Sequence, residues 1–230
     1  MWICYIIYIV DGVLLIMEVC IMITINEQSS IRFELDKIIC FDPFHLSNSN
    51  HDADVIFITH SHYDHFSIED ICKVQNENTI IVCPSDCLEE ASKIFSSENI
   101  ITVSPGDEIT LFQFSISVVP AYNIDKPFHP KTNNWVGYLL HDGEVTYYVM
   151  GDTDHLPFMD TLKVDYLFVP IGGKFTMNVS EAVELVNKMK PRVAIPIHYG
   201  TIIGEVGFGE DFQKKISDDI ECRLLLFSNT

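Results

Sequence analysis

Within six residues the chain sets three histidines and an aspartate: His60-Ser61-His62-Tyr63-Asp64-His65. Imidazole nitrogens bind borderline divalent cations, and a carboxylate adds charge neutralisation. Histidine makes up 9 of 230 residues, so three in six is a poor fit to a chance polar turn. In extended backbone, side chains two apart project to the same side, which suits His60 and His62. If the chain then turns, Asp64 and His65 reach a neighbouring point. One short segment could thus serve two adjacent cations.

Two later clusters have a similar placement. Met150-Gly151-Asp152-Thr153-Asp154 follows an apolar run ending at residue 150, and Pro196-Ile197-His198-Tyr199-Gly200 follows another over 193–197. Open sheets build their sites at the C-terminal ends of strands, so Asp152 and His198 are candidate ligands. Gly151 is expected to let backbone approach the cations. His129, in Lys126-Pro127-Phe128-His129-Pro130, lies between the first cluster and Asp152 along the chain. His45, His51 and His141 read as solvated turn residues, and His155 as a candidate for the pocket lining.

The elements that must position these residues are short. Ile31–Phe41 reads as strands, and Asp54–Thr59 as a strand buried on both faces, because it is apolar almost throughout. Ser67-x-x-Asp70 and Asp86-x-x-Glu89 have the chemistry of helix starts. Thr79–Cys83, Ile100–Val103 and Thr110–Val119 read as strands, and His141–Glu144 as a hairpin turn between Trp135–Leu140 and Val145–Met150. Tyr166–Pro170 and Val193–Ile197 are buried strands on either side of a helix over Val179–Met189, which Asn178 and Glu181 cap. A helix near Glu210–Ile216 and a strand over Arg223–Phe227 close the chain. This alternation predicts an α/β fold, a four-layer αββα sandwich of two mixed sheets. An ordinary doubly wound domain is the alternative, which the antiparallel hairpins fit less well.

Composition narrows the partners. Fourteen basic residues against 33 acidic ones give a net charge of −19. Such a surface repels phosphate backbones, which argues against a nucleic-acid partner, and it disfavours anionic membranes. Seven cysteines without regular spacing, several in apolar runs, read as buried reduced thiols of a cytoplasmic protein. Residues 1–25 are nearly all apolar but include Asp11 and Glu18, and no Lys or Arg precedes Arg32. A membrane span needs about 20 apolar residues, and an acid near its centre costs roughly 3 kcal/mol. A hairpin turning at Asp11-Gly12, or an upstream extension foreign to the fold, is the preferred reading, with a membrane anchor as the alternative. The expected organisation is an apolar extension over 1–21 and a single domain over 22–230.

Taken together, these residues resemble the metallo-β-lactamase superfamily, and within it the small metal-dependent hydrolases grouped with ascorbate-6-phosphate lactonase. The resemblance spans about residues 22–218. It rests on Phe41-Asp42-Pro43-Phe44, Thr59–Phe66, Pro120-Ala121-Tyr122-Asn123, Gly151–Asp154, Pro170-Ile171-Gly172-Gly173, Phe175-Thr176-Met177 and Ile197–Thr201. The family usually opens with a Gly-His-Ser or Gly-Gln-Ser turn. Here Asn26-Glu27-Gln28-Ser29-Ser30 lacks the glycine, a departure not expected to touch a ligand.

The resemblance implies two divalent metal ions. His60, His62 and His129 would hold one, Asp64, His65 and His198 the other, and Asp152 would bridge them. Zinc is the first choice for so nitrogen-rich a set, with manganese or iron open. Iron-dependent redox members resemble a pattern with Glu in place of the second histidine, so His62 points to hydrolysis. The implied activity is hydrolysis of a small-molecule ester, lactone or phosphodiester by a metal-bridged hydroxide, with Asp64 as the catalytic proton acceptor. Asp42 is expected to brace a ligand histidine, and Lys174, Thr176 and Tyr199 to touch substrate. A metal-binding sensor or scaffold without turnover, and a membrane-tethered lipid hydrolase, are the alternatives.

Overall fold

A computed structural model describes residues 2–10 and 13–226, with side chains from residue 22 onward. The fold is layered around two sheets. The first runs β1 (Trp2–Val10), β2 (Val13–Ile25), β3 (Ile31–Glu34), β4 (Ile38–Phe41), β5 (Val55–Phe57), β6 (Ile80–Pro84) and β7 (Ile100–Val103), each strand paired with the next. The second runs β8 (Glu108–Leu111), β9 (Phe114–Pro120), β10 (Val136–His141), β11 (Thr146–Val149), β12 (Tyr166–Pro170), β13 (Val193–Ile197) and β14 (Glu221–Cys222). In the first sheet three antiparallel pairings precede three parallel ones. The second repeats the same sequence.

The two-residue period of β5 explains why its run is apolar throughout. Val55 and Phe57 face the second sheet, while Ile56 and Ile58 join the outer cluster under α1 (Ile68–Val74) and α2 (Leu88–Ala91). Between the sheets the core is aromatic. Phe33 lies 5.2 Å from Tyr147 and 5.4 Å from Phe168, and Phe57 lies 4.9 Å from Tyr138. Tyr138 carries its hydroxyl across the interface to donate to the Ile58 carbonyl at 2.7 Å. On the far side, α3 (Val179–Met189) and α4 (Phe208–Lys215) pack Ala182, Leu185, Val186 and Phe212 into the same core. The αββα sandwich is therefore the architecture. Ser67 caps α1, and Asn178 with Glu181 forms a reciprocal capping box on α3.

Three sequence expectations are corrected. The single strand over 110–119 is two strands, because Leu111 pairs with Phe114 across a tight turn in which Phe112 has φ +54°. The closing strand is Glu221–Cys222 rather than 223–227. Arg223 still donates to Ala194, but the next link of that ladder would need the N–H that Pro196 lacks. Phe227 lies outside the described residues. Asp86 caps no helix; it sits in a 3-10 turn over Ser85–Cys87, and its carboxylate serves elsewhere.

The expected Asp11-Gly12 turn also lies outside the described residues. The strands on either side of it pair from Val10↔Val13 to Trp2↔Ile21. Among the described residues no helix is long and apolar enough to cross a membrane.

Phe57 is buried among aromatic rings of both sheets, so Phe57→Ala leaves a cavity that the neighbouring rings cannot fill. A loss of about 3–5 kcal/mol in unfolding free energy is expected, measurable by urea titration of full-length protein.

Candidate metal centre

The centre forms where β4 and β5 end side by side. Asp42 follows β4 directly, has φ +43°, and is fully buried. Its Oδ1 accepts the Thr59 N–H at 2.8 Å. Its Oδ2 accepts the Thr59 hydroxyl at 2.6 Å and His65 Nδ1–H at 2.7 Å. With its hydroxyl proton committed to Asp42, Thr59 Oγ is left to accept from His60 Nδ1 at 3.0 Å. One carboxylate thus fixes two imidazoles, with Nε2 of each turned away from it.

His129 is fixed by different partners to the same effect. Its Nδ1 lies 3.1 Å from Asn123 Oδ1 and 3.2 Å from the Phe175 carbonyl, both acceptors. The Asn123 amide cannot flip, because its Nδ2 donates to Asp154 and to Phe175. His62 presents Nδ1, 3.1 Å from His60 Nε2. Trp135 walls this half, its ring 4.8 Å from both His60 and His62. Asp86 accepts from the Trp135 indole N–H and from Ser61, each at 2.7 Å.

The second sheet supplies the rest. Asp152 follows β11 through Gly151, whose φ is +66°. A Cβ on Gly151 would meet the Val136 carbonyl at 2.8 Å and the Thr59 side chain at 3.1 Å. The glycine therefore lets the ends of β5, β10 and β11 converge. His198 follows β13 with φ +57°. Its ring stacks on His65 with centroids 5.2 Å apart, and its N–H donates to the Gln28 carbonyl at 2.9 Å. Gln28 is itself buried at φ +52°. Thr201 donates to its Oε1 at 3.0 Å, which directs its Nε2 onto Asp64 Oδ2 at 3.3 Å.

These donor atoms fit divalent cations. Three sets have mutual distances within 4.8 Å: His60, His62 and His129; His60, His65 and Asp152; Asp64, His65 and His198. Buried His65 Nε2, His129 Nε2, His198 Nε2 and Asp152 Oδ1 have no hydrogen-bond partner, a costly condition unless something else binds them. They nevertheless crowd together. Asp152 approaches His129, His198 and His65 at 3.3, 3.2 and 3.4 Å, and Asp64 lies 3.5 Å from His198. Ligands about 2.0–2.1 Å from a tetrahedral zinc stand about 3.3–3.4 Å apart, so this spacing would accommodate a shared ion.

A family model for the beta-lactamase superfamily domain matches residues 34–199. The chain belongs to the β-lactamase superfamily. A UPF0173 protein of Pyrococcus abyssi is 32% identical over 167 residues, 71% of this chain and 74% of that one. A UPF0173 metal-dependent hydrolase of Pyrococcus horikoshii is 29% identical over 212 residues, 86% and 93%. Among solved structures, a metal-dependent hydrolase from Parabacteroides distasonis superposes with TM-score 0.76 at 27% identity, covering 98% of this chain and all of that one. A metallo hydrolase from Ignicoccus hospitalis, 20% identical, shares the fold with TM-score 0.74 over 90% and 95% of the two chains. This superfamily member therefore sits within a group of metal-dependent hydrolase enzymes.

Within the cluster the charged groups shift one another's protonation. Burial opposes charge on Asp152, but His198 and His65 outweigh it and hold the carboxyl well below its usual range. Burial also opposes charge on Asp64, but contact with His198 and the charge of His65 bring it down to about 2. Burial works against a charged His198 as well, yet Asp152 and Asp64 raise it to about 10. His60 goes the other way, pushed well down by burial and by the neighbouring His65.

Of the residues expected to touch substrate, Lys174 is exposed, its Nζ 4.9 Å from the Phe175 ring. Thr176 is fully buried with its hydroxyl on the Met177 carbonyl. The Tyr199 hydroxyl is buried against α4, where it would stand 2.2 Å from a Cβ on Gly209. His155 pairs with Asp160 at 2.7 Å instead of reaching the cluster. The Asn26–Ser30 turn does contact a site residue, through Gln28. Gln28, Asn123 and Asp86 escaped sequence reasoning as site residues because amides and lone carboxylates occur in every loop. The quoted Pro120–Asn123 and Asn26–Ser30 segments contained two of them without marking either as a support of the site.

Two outcomes follow from this geometry. Stability that comes from the raised His198 is fully present below its unfolded value of 6.5 and is lost as pH rises through about 10. That from Asp64 is present above 3.8 and lost as pH falls through about 2, and His60, held neutral, costs stability below 6.5. Chelated protein is thus expected to melt highest near pH 6.5 and at falling temperatures up to pH 10. Added zinc, which needs neutral imidazole, should raise the melting temperature most at the alkaline end; calorimetry at fixed ionic strength reads both. Gln28→Leu should weaken metal retention by about 10–100-fold, measured by competition with a chromophoric chelator, while Gln28→His recovers part of the loss.

Proposed function

We propose that the centre binds two divalent cations and hydrolyses a small ester, lactone or phosphodiester. His60, His62 and His129 hold the first ion, Asp64, His65 and His198 the second, and Asp152 bridges them. The observation that carries this reading is the position of Asp152. Its carboxylate lies within 3.4 Å of His129 in the first set and of both His65 and His198 in the second. Zinc suits the nitrogen-rich donors, with manganese or iron next. When bound, such a pair of dications supplies a water acidified to near neutrality and positive charge for a developing oxyanion.

The chain's own residues do the positioning. Asp42 and Asn123 keep His65, His60 and His129 in the tautomers that aim Nε2 inward. Asp64 is ionised at neutral pH and is held by Gln28, so it can accept a hydrogen bond from the attacking water and then its proton. The Trp135 ring packs against the His60 and His62 rings and limits how they can turn. A substrate small enough to reach a cluster this buried is a small molecule, and the charge of −19 disfavours nucleic acid.

Metal-loaded protein is expected to contain about two equivalents, and His60→Ala to lose both together. Asp64→Ala should lower kcat/KM by about a hundredfold or more on at least one of an aryl ester, a lactone and a phosphodiester. Emission spectroscopy and steady-state assays with a chelated control measure this. If all three bond types stay intact, and wild type and Asp64→Ala are indistinguishable, the reading is wrong.

A further inference from the structure

The described side chains include eight large exposed hydrophobics, and five of them (Tyr63, Ile124, Phe128, Ile202 and Val206) lie in the three loops that carry His60–His65, His129 and His198. Elsewhere among the described side chains the large exposed hydrophobics are Met22, Leu88 and Phe112, which lie in separate elements. Single exposed hydrophobics need no explanation, but a cluster around a cleft does.

Each of three rim residues is tied to the centre by a short chain of contacts. Tyr63 stands between His62 and Asp64 and meets Phe44 edge-on at 6.0 Å. Phe128 precedes His129 and packs edge-on against Phe175 at 4.7 Å, and the Phe175 carbonyl faces His129 Nδ1. Ile202 follows Thr201, which holds Gln28 on Asp64. His62 is the one half-exposed imidazole of the candidate set, the others being at most 1% exposed. The cluster therefore opens to solvent beside Tyr63 and the Trp135 wall.

The cationic side chains argue in the same direction. Recognition of a phosphoryl group favours the bidentate fork of arginine. The chain has three arginines, and none lies in the site loops. Arg32 binds Asp52 and Glu34, Arg192 faces Asp165, and Arg223 binds Glu221. Of the lysines in or near those loops, Lys126 is neutralised by Asp154, while Lys131 and Lys174 lie over the rings of Tyr122 and Phe175.

We propose that the substrate is an uncharged ester or lactone with an apolar acyl chain, which the rim of Tyr63, Phe128, Trp135 and Ile202 receives while the acyl carbon sits at the metals. This deepens the hydrolase reading and rests on it. In the step, the oxygen of water bonds to the acyl carbon and the acyl C–O bond breaks. One proton of the water ends on the departing oxygen, and nothing is oxidised or reduced.

The test uses zinc-loaded full-length protein and straight-chain aryl esters from acetate to octanoate, γ-lactones with growing alkyl tails, and an aryl phosphodiester. Expected is a rise in kcat/KM of about two- to fourfold per added methylene until the rim is filled, carried mainly by KM. Phe128→Ser and Ile202→Ser should flatten that slope with zinc content unchanged. Phe112→Ser, equally exposed in the β8–β9 turn, should not. In parallel, alkyl hydroxamic acids of the same chain lengths are titrated calorimetrically into the zinc-loaded protein and should bind more tightly as they lengthen. Ester turnover that ignores chain length, or a preferred phosphodiester, overturns the acyl proposal while the hydrolase reading stands. Chain-length-dependent hydroxamate binding that Phe128→Ser abolishes, with no turnover of any substrate, supports the apolar rim and sinks the hydrolase reading instead. Binding indifferent to chain length overturns the rim.

Discussion

A single buried carboxylate organises the centre. Asp42 has no exposed surface, and it is occupied by Thr59 and His65. A buried, half-paired carboxylate would be costly; with three donors it becomes a rigid reference point. From it, orientation passes outward by hydrogen-bond polarity alone. Asp42 fixes the proton of His65 and the hydroxyl of Thr59, and Thr59 then fixes His60. Because β4 and β5 are parallel neighbours, their ends lie close enough for this relay. The positive φ of Asp42 and His198 is local strain that packing on both sides sustains.

Much of this was legible in the residues. The αββα layering followed from apolar period and turn chemistry, and the caps of α1 and α3 are those the sequence gives at Ser67 and Asn178. Strand limits were less legible. Phe112 breaks a run whose hydrophobicity continues unbroken, and Pro196 stops a ladder through a missing N–H, which only the pairing partner reveals. At the site, the histidines and Asp152 stood out because their side chains have few other uses at that density. Their supports did not. Gln28 and Asn123 act through the direction of one amide, and Asp86 through two donors far from it in sequence. Tyr199 follows a candidate ligand yet packs into the core, and Thr176 turns its hydroxyl onto the Met177 carbonyl, since in short turns neighbours in sequence point to different faces.

In the proposed reading the apolar rim and the acidic surface have distinct roles. A net charge of −19 opposes the approach of phosphate backbones and anionic surfaces, whereas the cluster beneath the rim is dense with groups that attract cations. Such a division selects by polarity before any chemistry takes place at the centre.

The two sheets repeat one pattern, three antiparallel pairings followed by three parallel ones, and the candidate centre lies on the seam between them. The histidine cluster leaves the first sheet after β5, while Asp152 and His198 leave the second after β11 and β13. Neither half alone would supply all the candidate ligands. Loop-closure entropy must be met before contacts so distant in sequence form, and a shell closed by such contacts would assemble late in folding. Interactions absent from the transition state slow unfolding more than they speed folding. A metal on the seam would therefore act chiefly as a kinetic latch, lengthening the lifetime of the native state.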